Sequence, residues 1–559
     1  MVELLTRRVY RKTLASIVAS IKAQHDYASL LAMVKCGVTI FRINFSWFNK
    51  APETLWVTKL REIGKIAQEE GLVLGIMLDT KGPEFRVRHL DTDTIPLGSD
   101  PNGRVYEPGK DGYIYERNTD ITLTLDPNVK TTTHTISVEA PLRTKFHSVG
   151  RRVVFGDGDY EAFIKPVQSD ESSMNITPSA PICVWDGAKV NFPGTLLTAK
   201  ALGDEDKKII RFFLEAGRDM DDRVNFIFAQ SFIKSVADVQ SFIDYLQNVV
   251  GVNKPIVIAK LETYESSLPN NLERIIEAAS GVMIARGDLA NQTSRDDLPQ
   301  LQRRIIRVAK RFNKSVLLAT QVYGSMKDFR RSKCSRPEAE DVRSALELGV
   351  DGFVLTEETT ARSDPETVVR ALADQIEKDE EDLITQDQRD PSEANHYERL
   401  REIERIAFHK SMRKQMRDPS LHIDIQRTLG TTDFAIAAVF RANQYGAIGV
   451  FPFTVHGSTV REMCRFYPET GIFPVTTMPK IAQSLLLCRC THPILVRMSD
   501  DEHKEFYIDR FKELVREIVN VLELRERKLN ARYAICTMAH PPLQPGGTDT
   551  LLRIRIEDS

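Results

Sequence analysis

Five short stretches of this chain each place reactive side chains where an apolar run stops. Lys260-Leu261-Glu262 ends the run that begins at Ile256. Alternation along an extended chain puts the ammonium and the carboxylate on one face, with Leu261 packing away. A lysine at the end of such a run is costly unless paired, so the two groups form either a structural ion pair or a working site. Ala285-Arg286-Gly287-Asp288 ends a second run. Gly287 permits close backbone approach, and the amides that follow could bind an anion if a helix starts there. Asp288 could join Glu262 as a carboxylate pair for Mg²⁺ or Mn²⁺, which favour one or two carboxylates with substrate oxygens and water around them.

Two further stretches carry cations and oxygen donors. Arg42, Asn44 and Ser46 alternate along Phe41-Arg42-Ile43-Asn44-Phe45-Ser46 and share a face. A guanidinium, an amide and a hydroxyl aligned in this way could hold a phosphate and a hard cation. Leu78-Asp79-Thr80-Lys81-Gly82-Pro83-Glu84-Phe85-Arg86 breaks an apolar run into acid, hydroxyl and base around a Gly-Pro turn. A fifth run ends at Thr320, followed by Gln321. Singly, each stretch also reads as a solvated strand end or a plain ion pair. Together they put polar groups at five strand ends of one domain.

The elements that would position them alternate between short apolar runs and longer amphipathic stretches, the pattern of a parallel sheet with helical crossovers. Strands are expected at 13–19, 38–45, 73–80, 225–231, 255–262, 281–288, 315–320 and 352–357. Helices are expected at 53–70, 298–312 and 365–383. Eight such units point to a closed (β/α)₈ barrel, where active sites form at the ends of strands and the loops that follow. About 140 residues separate the third and fourth strands, too many for a structureless loop. Their Thr, Val, Asp, Gly and Pro content indicates a small inserted β-domain. The expected divisions are an N-terminal segment 1–10, barrel 11–86, insert 87–193, barrel 194–383 and a C-terminal α/β domain 384–559 with strands at 447–453, 472–476, 493–496, 533–537 and 551–556.

Bulk properties narrow the class. Apolar residues make up 42% and charged residues 28% of 559 residues, as in globular chains. A formal net charge of -2 offers no general attraction to nucleic acid or anionic membrane. Cys36, Cys183, Cys334, Cys464, Cys488, Cys490 and Cys536 are scattered, without a zinc-clip spacing, and indicate free thiols in a reducing compartment. The start is basic, contains Glu3 and lacks the apolar core of a secretory signal, so a cytoplasmic location is expected. No Gly-rich Lys-Ser/Thr phosphate loop is present, which disfavours that class of kinase.

The five stretches, in their order along the chain, resemble the pyruvate kinase family, and Ala229-Gln230-Ser231-Phe232-Ile233 resembles its fourth-strand motif. The resemblance runs from about Arg11 over most of the chain. It implies an α/β fold: a TIM barrel, an inserted small β-barrel and a C-terminal α/β domain. It also implies phosphoryl transfer from phosphoenolpyruvate to ADP, giving pyruvate and ATP, in a homo-oligomer that is usually a tetramer. By the same resemblance Arg42 and Arg86 bind phosphate. Asn44, Ser46, Asp79 and Thr80 hold K⁺, a dependence that accompanies Glu84. Glu262 and Asp288 hold Mg²⁺ or Mn²⁺, and amides near Arg286, Gly287 and Asp288 receive the substrate carboxylate. Lys260 neutralises the transferring phosphoryl group, and Thr320 lies near the carbon that takes up a proton.

The nucleotide side departs from the family pattern. Ser16–Ser20 lacks the family's Gly-Pro, and Trp47 replaces a histidine. Trp47 is either a stacking surface for a base or partly buried packing. Only Asp157 of a paired-acid motif is kept, Lys189 is displaced by one position, Ala290 and Glu357 replace glycines, and Gly324 replaces a glutamate. Thr454-Val455-His456-Gly457-Ser458-Thr459 keeps hydroxyls of a sugar-phosphate loop but lacks its arginine, and 541–547 lacks the Trp-Arg pattern. An ordinary helix cap is the expected role there. An active, divergent pyruvate kinase is the leading expectation. A non-catalytic regulatory or scaffolding relative and a metal-dependent keto-acid enzyme are the alternatives.

Overall fold

The computed structural model describes residues 2–88, 90, 112–140, 146–148, 152–156, 158, 160–168, 172–194, 196–197, 200–293, 296–385, 422–499, 508–524, 531–538 and 550–556. Asp157, most of the linker expected at 384–395, and the loop 541–547 lie outside the described residues.

Eight parallel strands close into a barrel. In chain order they are β1 (Ser16–Ser20), β2 (Val38–Asn44), β3 (Leu74–Asp79), β4 (Val224–Gln230), β5 (Val257–Leu261), β6 (Gly281–Ala285), β7 (Ser315–Ala319) and β8 (Gly352–Leu355). Their side chains alternate strictly. Val18, Ile40, Met77, Ile227, Ile258, Met283, Leu317 and Val354, one per strand, fill the interior. Ile17, Phe41, Ile76, Phe228, Val257, Ile284, Leu318 and Phe353, each one residue away, pack in the layer under the helices. This two-sided burial explains why the strands read as continuous apolar runs.

The interior cluster continues below the barrel into Leu5, Ala482, Leu486, Leu487 and Leu495. The lower mouth is therefore closed by the C-terminal domain and the N-terminal segment, and Ser16 Oγ donates to the Leu486 carbonyl at 2.6 Å. The upper mouth remains for polar side chains. Helix Glu53–Glu70 has the expected bounds and stops at Gly71, whose φ of 61° a glycine adopts without strain. The expected strands ran too far at several ends, among them that of β8, which stops at Leu355 because Glu357 already starts a short helix. Residues 286–288 start a helix, Arg286–Gln292, and Thr320 adopts a φ of 69°, which ends β7 at Ala319.

The insert has its own core around Tyr115, Phe155, Trp185 and Phe192. Its largest sheet runs in the order Val190–Asn191, Arg152–Phe155, Tyr160–Gln168, Ser173–Pro178, Ile121–Thr124, Thr135–Glu139 and Arg86–Val87. An antiparallel bridge between Arg86 and Lys189 joins the first and last of these, so the sheet curls back on itself. In the C-terminal domain, Val450–Pro452, Tyr533–Met538 and Thr550–Arg555 form one sheet, and Val475–Thr476, Ile494–Arg497 and Glu3–Leu4 form another. The residues before the barrel do not stand apart: Leu4 pairs with Val496, and Leu495 N donates to Thr6 Oγ1 at 2.9 Å. All seven cysteines are free of disulfides. Among the described residues no helix is long and apolar enough to cross a membrane.

Buried charge fastens the floor of the barrel. Asp351 accepts from Lys310 Nζ at 2.6 Å, from Val316 N at 2.8 Å and from Arg489 N of the C-terminal domain at 3.1 Å. Both Asp351 and Lys310 are buried. Asp351→Asn leaves the Lys310 ammonium buried without its counter-charge, which costs about 3–5 kcal/mol. A lower urea midpoint for loss of barrel structure is the expected result, read by circular dichroism, and an unchanged midpoint would show that the pair is not needed.

Candidate active site

The alternation that fills the barrel continues past the last apolar layer and decides which polar groups face inward. Two residues beyond Val18 stands Ser20, and two and four beyond Ile40 stand Arg42 and Asn44. Asp79 follows Met77, Ser231 follows Ala229, and Lys260 and Glu262 follow Ile258 with the same period. Register adds the lateral order, since Asn44 is paired with Asp79 across β2 and β3. Residues far apart in sequence thus meet in one layer on neighbouring strands.

Lys260 is the hub of that layer. Its Nζ lies 3.0 Å from Asp79 Oδ1, 2.8 Å from Glu262 Oε1 and 2.7 Å from Ser231 Oγ. Asp79 Oδ2 accepts from Arg42 Nε at 2.6 Å, and Arg42 Nη1 donates to Ser20 Oγ at 2.8 Å. Glu262 Oε2 accepts from Phe232 N at 2.8 Å. Burial alone would favour neutral Lys260, but Asp79 and Glu262 outweigh it and hold its pKa above the ordinary lysine value. Burial likewise raises Asp79, but Lys260 and Arg42 bring it below the usual carboxylate range. Glu262 stays raised: burial is the largest cause, Lys260 opposes it, and the charge of Asp288 adds to it.

These groups line a cavity of about 190 Å³ shared by Arg42, Asn44, Ser46, Trp47, Thr80, Glu84, Lys189, Ser231, Lys260, Glu262, Gly287, Asp288 and Thr320. Glu262 and Asp288 therefore face one space. Their two carboxylates fit a hard divalent ion that takes its remaining oxygens from substrate and water. Among the described residues there is no group of three or more acidic, histidine or cysteine side chains for a metal that demands an all-protein cage. Asn44, Ser46, Asp79 and Thr80 offer oxygen donors from two adjacent strand ends, which suits a monovalent hard cation. Asp79 would share its carboxylate with Arg42 and Lys260, and Asn44 Oδ1 also caps the following turn by accepting from Ser46 N at 3.0 Å.

Three expected site residues stand elsewhere. Arg286 donates to the carbonyls of Thr320 at 2.9 Å and Gln321 at 3.0 Å, and pairs with Asp341. Its guanidinium does not line the cavity; it holds Thr320 and Gln321 in their positive φ values of 69° and 53°, a conformation uncommon for side-chain-bearing residues. Arg86 lies in the neck between barrel and insert, donating to Glu84 at 3.1 Å and to the Gly187 carbonyl at 2.8 Å. Asp79 is fully buried behind Arg42 and Lys260. The helix expected after Gly287 does begin there, and Gly287 N donates to Thr320 Oγ1 at 2.8 Å. A Cβ at Gly287 would come no closer than 3.6 Å to protein, so packing alone does not demand glycine. Trp47 is half-buried at the rim, with Lys50 Nζ 3.9 Å and Lys22 Nζ 4.7 Å from its ring centroid.

Sequence reasoning missed Ser231, Ser20 and Asp206. The first two lie on the inward parity of β4 and β1, a signal that was available. Asp206 had no local signal: it accepts from Lys81 N at 2.8 Å and from Gly82 N and Gly203 N at 3.3 Å, fixing the turn after β3. Burial, opposed by these amides, leaves its carboxyl pushed up to about 6. The folded chain therefore takes up a proton near pH 6 that the unfolded chain takes up near 3.8. Wild type should gain stability relative to Asp206→Asn as pH falls from 7 toward 4, on the order of 2 kcal/mol, and lose that gain as pH rises through 6. Urea midpoints of both proteins across that range test this; parallel pH profiles would refute it.

Comparison with known proteins agrees with this geometry. The family described as pyruvate kinase, barrel domain, matches residues 11–369, and that described as pyruvate kinase, alpha/beta domain, matches 433–554. Pyruvate kinase 2 of Synechocystis sp. is 28% identical over 481 residues, covering 86% of this chain and 70% of that protein. A pyruvate kinase of Mycobacterium intracellulare is 25% identical over 469 residues, covering 84% of each. The crystal structure of a pyruvate kinase from Cryptosporidium parvum superposes with a TM-score of 0.75 at 21% identity, over 98% of this chain and 97% of that one, a likeness of fold. With its barrel and C-terminal domains both matched, this chain belongs to the pyruvate kinase family.

Proposed function

We propose that this chain transfers a phosphoryl group from phosphoenolpyruvate to ADP, giving pyruvate and ATP. One observation carries the reading: a lysine held between Asp79 and Glu262 opens on the same cavity as Asp288 and Thr320. Phosphoryl transfer needs positioning and charge neutralisation more than a nucleophile from the protein, and this site is built of those parts.

In this reading Glu262 and Asp288 would hold a divalent ion, which would supply positive charge against the phosphoryl oxygens. Arg42, which lines the cavity, orients the phosphate. The bond from phosphorus to the enol oxygen breaks as a bond to the terminal ADP oxygen forms, leaving an enolate. Lys260 is aimed into the cavity by three fixed acceptors, so its charge is in place before the transfer and needs no reorganisation. The substrate carboxylate lies against the start of the helix Arg286–Gln292. Thr320 Oγ1, which donates to the Ala319 carbonyl at 2.6 Å, borders the space where the methylene carbon regains a proton. Asn44, Ser46 and Thr80, with Asp79 buried behind them, would hold K⁺, which would supply further positive charge to the site.

An assay of pyruvate formed from phosphoenolpyruvate, ADP, Mg²⁺ and K⁺ tests the reading. Folded protein that forms no pyruvate with any of several nucleoside diphosphates would remove it. Lys260→Met should lower kcat by about 10²–10³-fold with the fold intact. Ser231→Ala, which deletes one of the three acceptors of Lys260, should lower kcat roughly tenfold. Replacing K⁺ by tetramethylammonium should lower the rate strongly; an equal rate would sink the monovalent-cation assignment.

A further inference from the structure

Among the described residues, three side chains of the insert and its neck reach the barrel segment 288–293 beside the site. Lys189 Nζ lies 3.4 Å from Asp288 Oδ1, Asn191 Oδ1 accepts from Gln292 Nε2 at 3.3 Å, and the Arg152 guanidinium donates to the Thr293 carbonyl. The three barrel partners lie on, or one residue beyond, the helix Arg286–Gln292. Asp288 belongs to that helix. The segment that supports the insert is thus the one that supplies a metal carboxylate.

Lys189 is well placed to act on that carboxylate. Its backbone is fixed by the bridge to Arg86, while Val190 N donates to the Phe85 carbonyl at 2.8 Å. The ammonium therefore reaches Asp288 from a defined root. Asp288 and Glu262 share a cavity, and like charges facing one another favour any nearby cation. The side chains of Lys189 and Asp288 are 34% and 17% exposed, so the pair is partly solvated, modest in strength and exchangeable.

We propose that Lys189 is a tethered counter-ion that occupies Asp288 until a divalent ion takes its place, so that metal affinity and the seating of the insert are coupled. This rests on the assignment of Glu262 and Asp288 as the metal site. An ammonium group and a divalent ion drawn to the same carboxylate repel one another, so binding of the ion weakens the hold of Lys189 on Asp288. When Lys189 lets go of Asp288, one of the three contacts to the helix is lost, and the insert is held by Arg152 and Asn191.

Titration of the full-length protein with Mn²⁺, without substrate, tests this by the electron paramagnetic resonance of free Mn²⁺. Lys189→Met should bind Mn²⁺ roughly threefold to tenfold more tightly than wild type, and the charge-keeping Lys189→Arg should stay within about twofold. Amide exchange in Arg152–Phe155 should respond to Mn²⁺ in wild type and respond less in Lys189→Met. Equal or weaker binding by Lys189→Met overturns the proposal while leaving the metal site standing. Absence of Mn²⁺ binding in both proteins, or unchanged binding in Asp288→Asn, removes the metal site and the proposal together.

Discussion

A buried ammonium group between two buried carboxylates governs this structure. Asp79, Ser231 and Glu262 come from the ends of β3, β4 and β5, and each reaches Lys260. Isolated charges at this depth would each be strongly unfavourable, and removing one partner would strand the others. Arg42 and Lys260 balance Asp79 and Glu262, leaving the layer close to neutral. Asp288 stands outside this balance on the cavity wall, with Lys189 opposite.

Only a closed parallel barrel brings such a group together from these sequence positions. Five strands place a polar residue two beyond the inward apolar one (Ser20, Arg42, Asp79, Lys260 and Thr356), whereas β4, β6 and β7 place Ala229, Ala285 and Ala319 there. The C-terminal domain and residues before β1 close the lower mouth with Leu5, Leu486 and Leu487, which reserves the upper mouth for polar groups. The Lys310–Asp351 pair and the Arg489 amide fasten that closure.

This geometry also explains what the sequence revealed. The strand ends were legible because an apolar run that stops at an acid or base is a local signal, and parity assigns the face. Lys260, Glu262, Arg42 and Asn44 were found in that way. Ser231 was overlooked because a serine at a strand end is unremarkable until the neighbouring lysine is placed beside it. Arg286 entered the expected anion site through the backbone amides near it, by resemblance; the direction of its guanidinium depends on Thr320 and Asp341, 34 and 55 residues away, which no local pattern encodes. Asp206 is further still from local legibility, since it acts on Lys81 across 125 residues containing the entire insert. The pairing of Glu3–Leu4 with Ile494–Arg497 joins opposite ends of the chain and leaves no periodic trace in so short a strand.

Part of the divergence from the family pattern lies where the constraint is weakest. Trp47, Lys189 and Glu357 all line the cavity, yet none belongs to the Lys260 layer. Trp47 sits in a 3₁₀ turn beyond β2, Lys189 on the insert, and Glu357 in the helical turn after β8, where it pairs with Lys327. A substitution at these positions changes partly solvated contacts of modest energy. A substitution in the buried layer unbalances a charge shared by three strands, at several times that energy. The buried layer is thus physically resistant to substitution, while the rim can change at smaller cost.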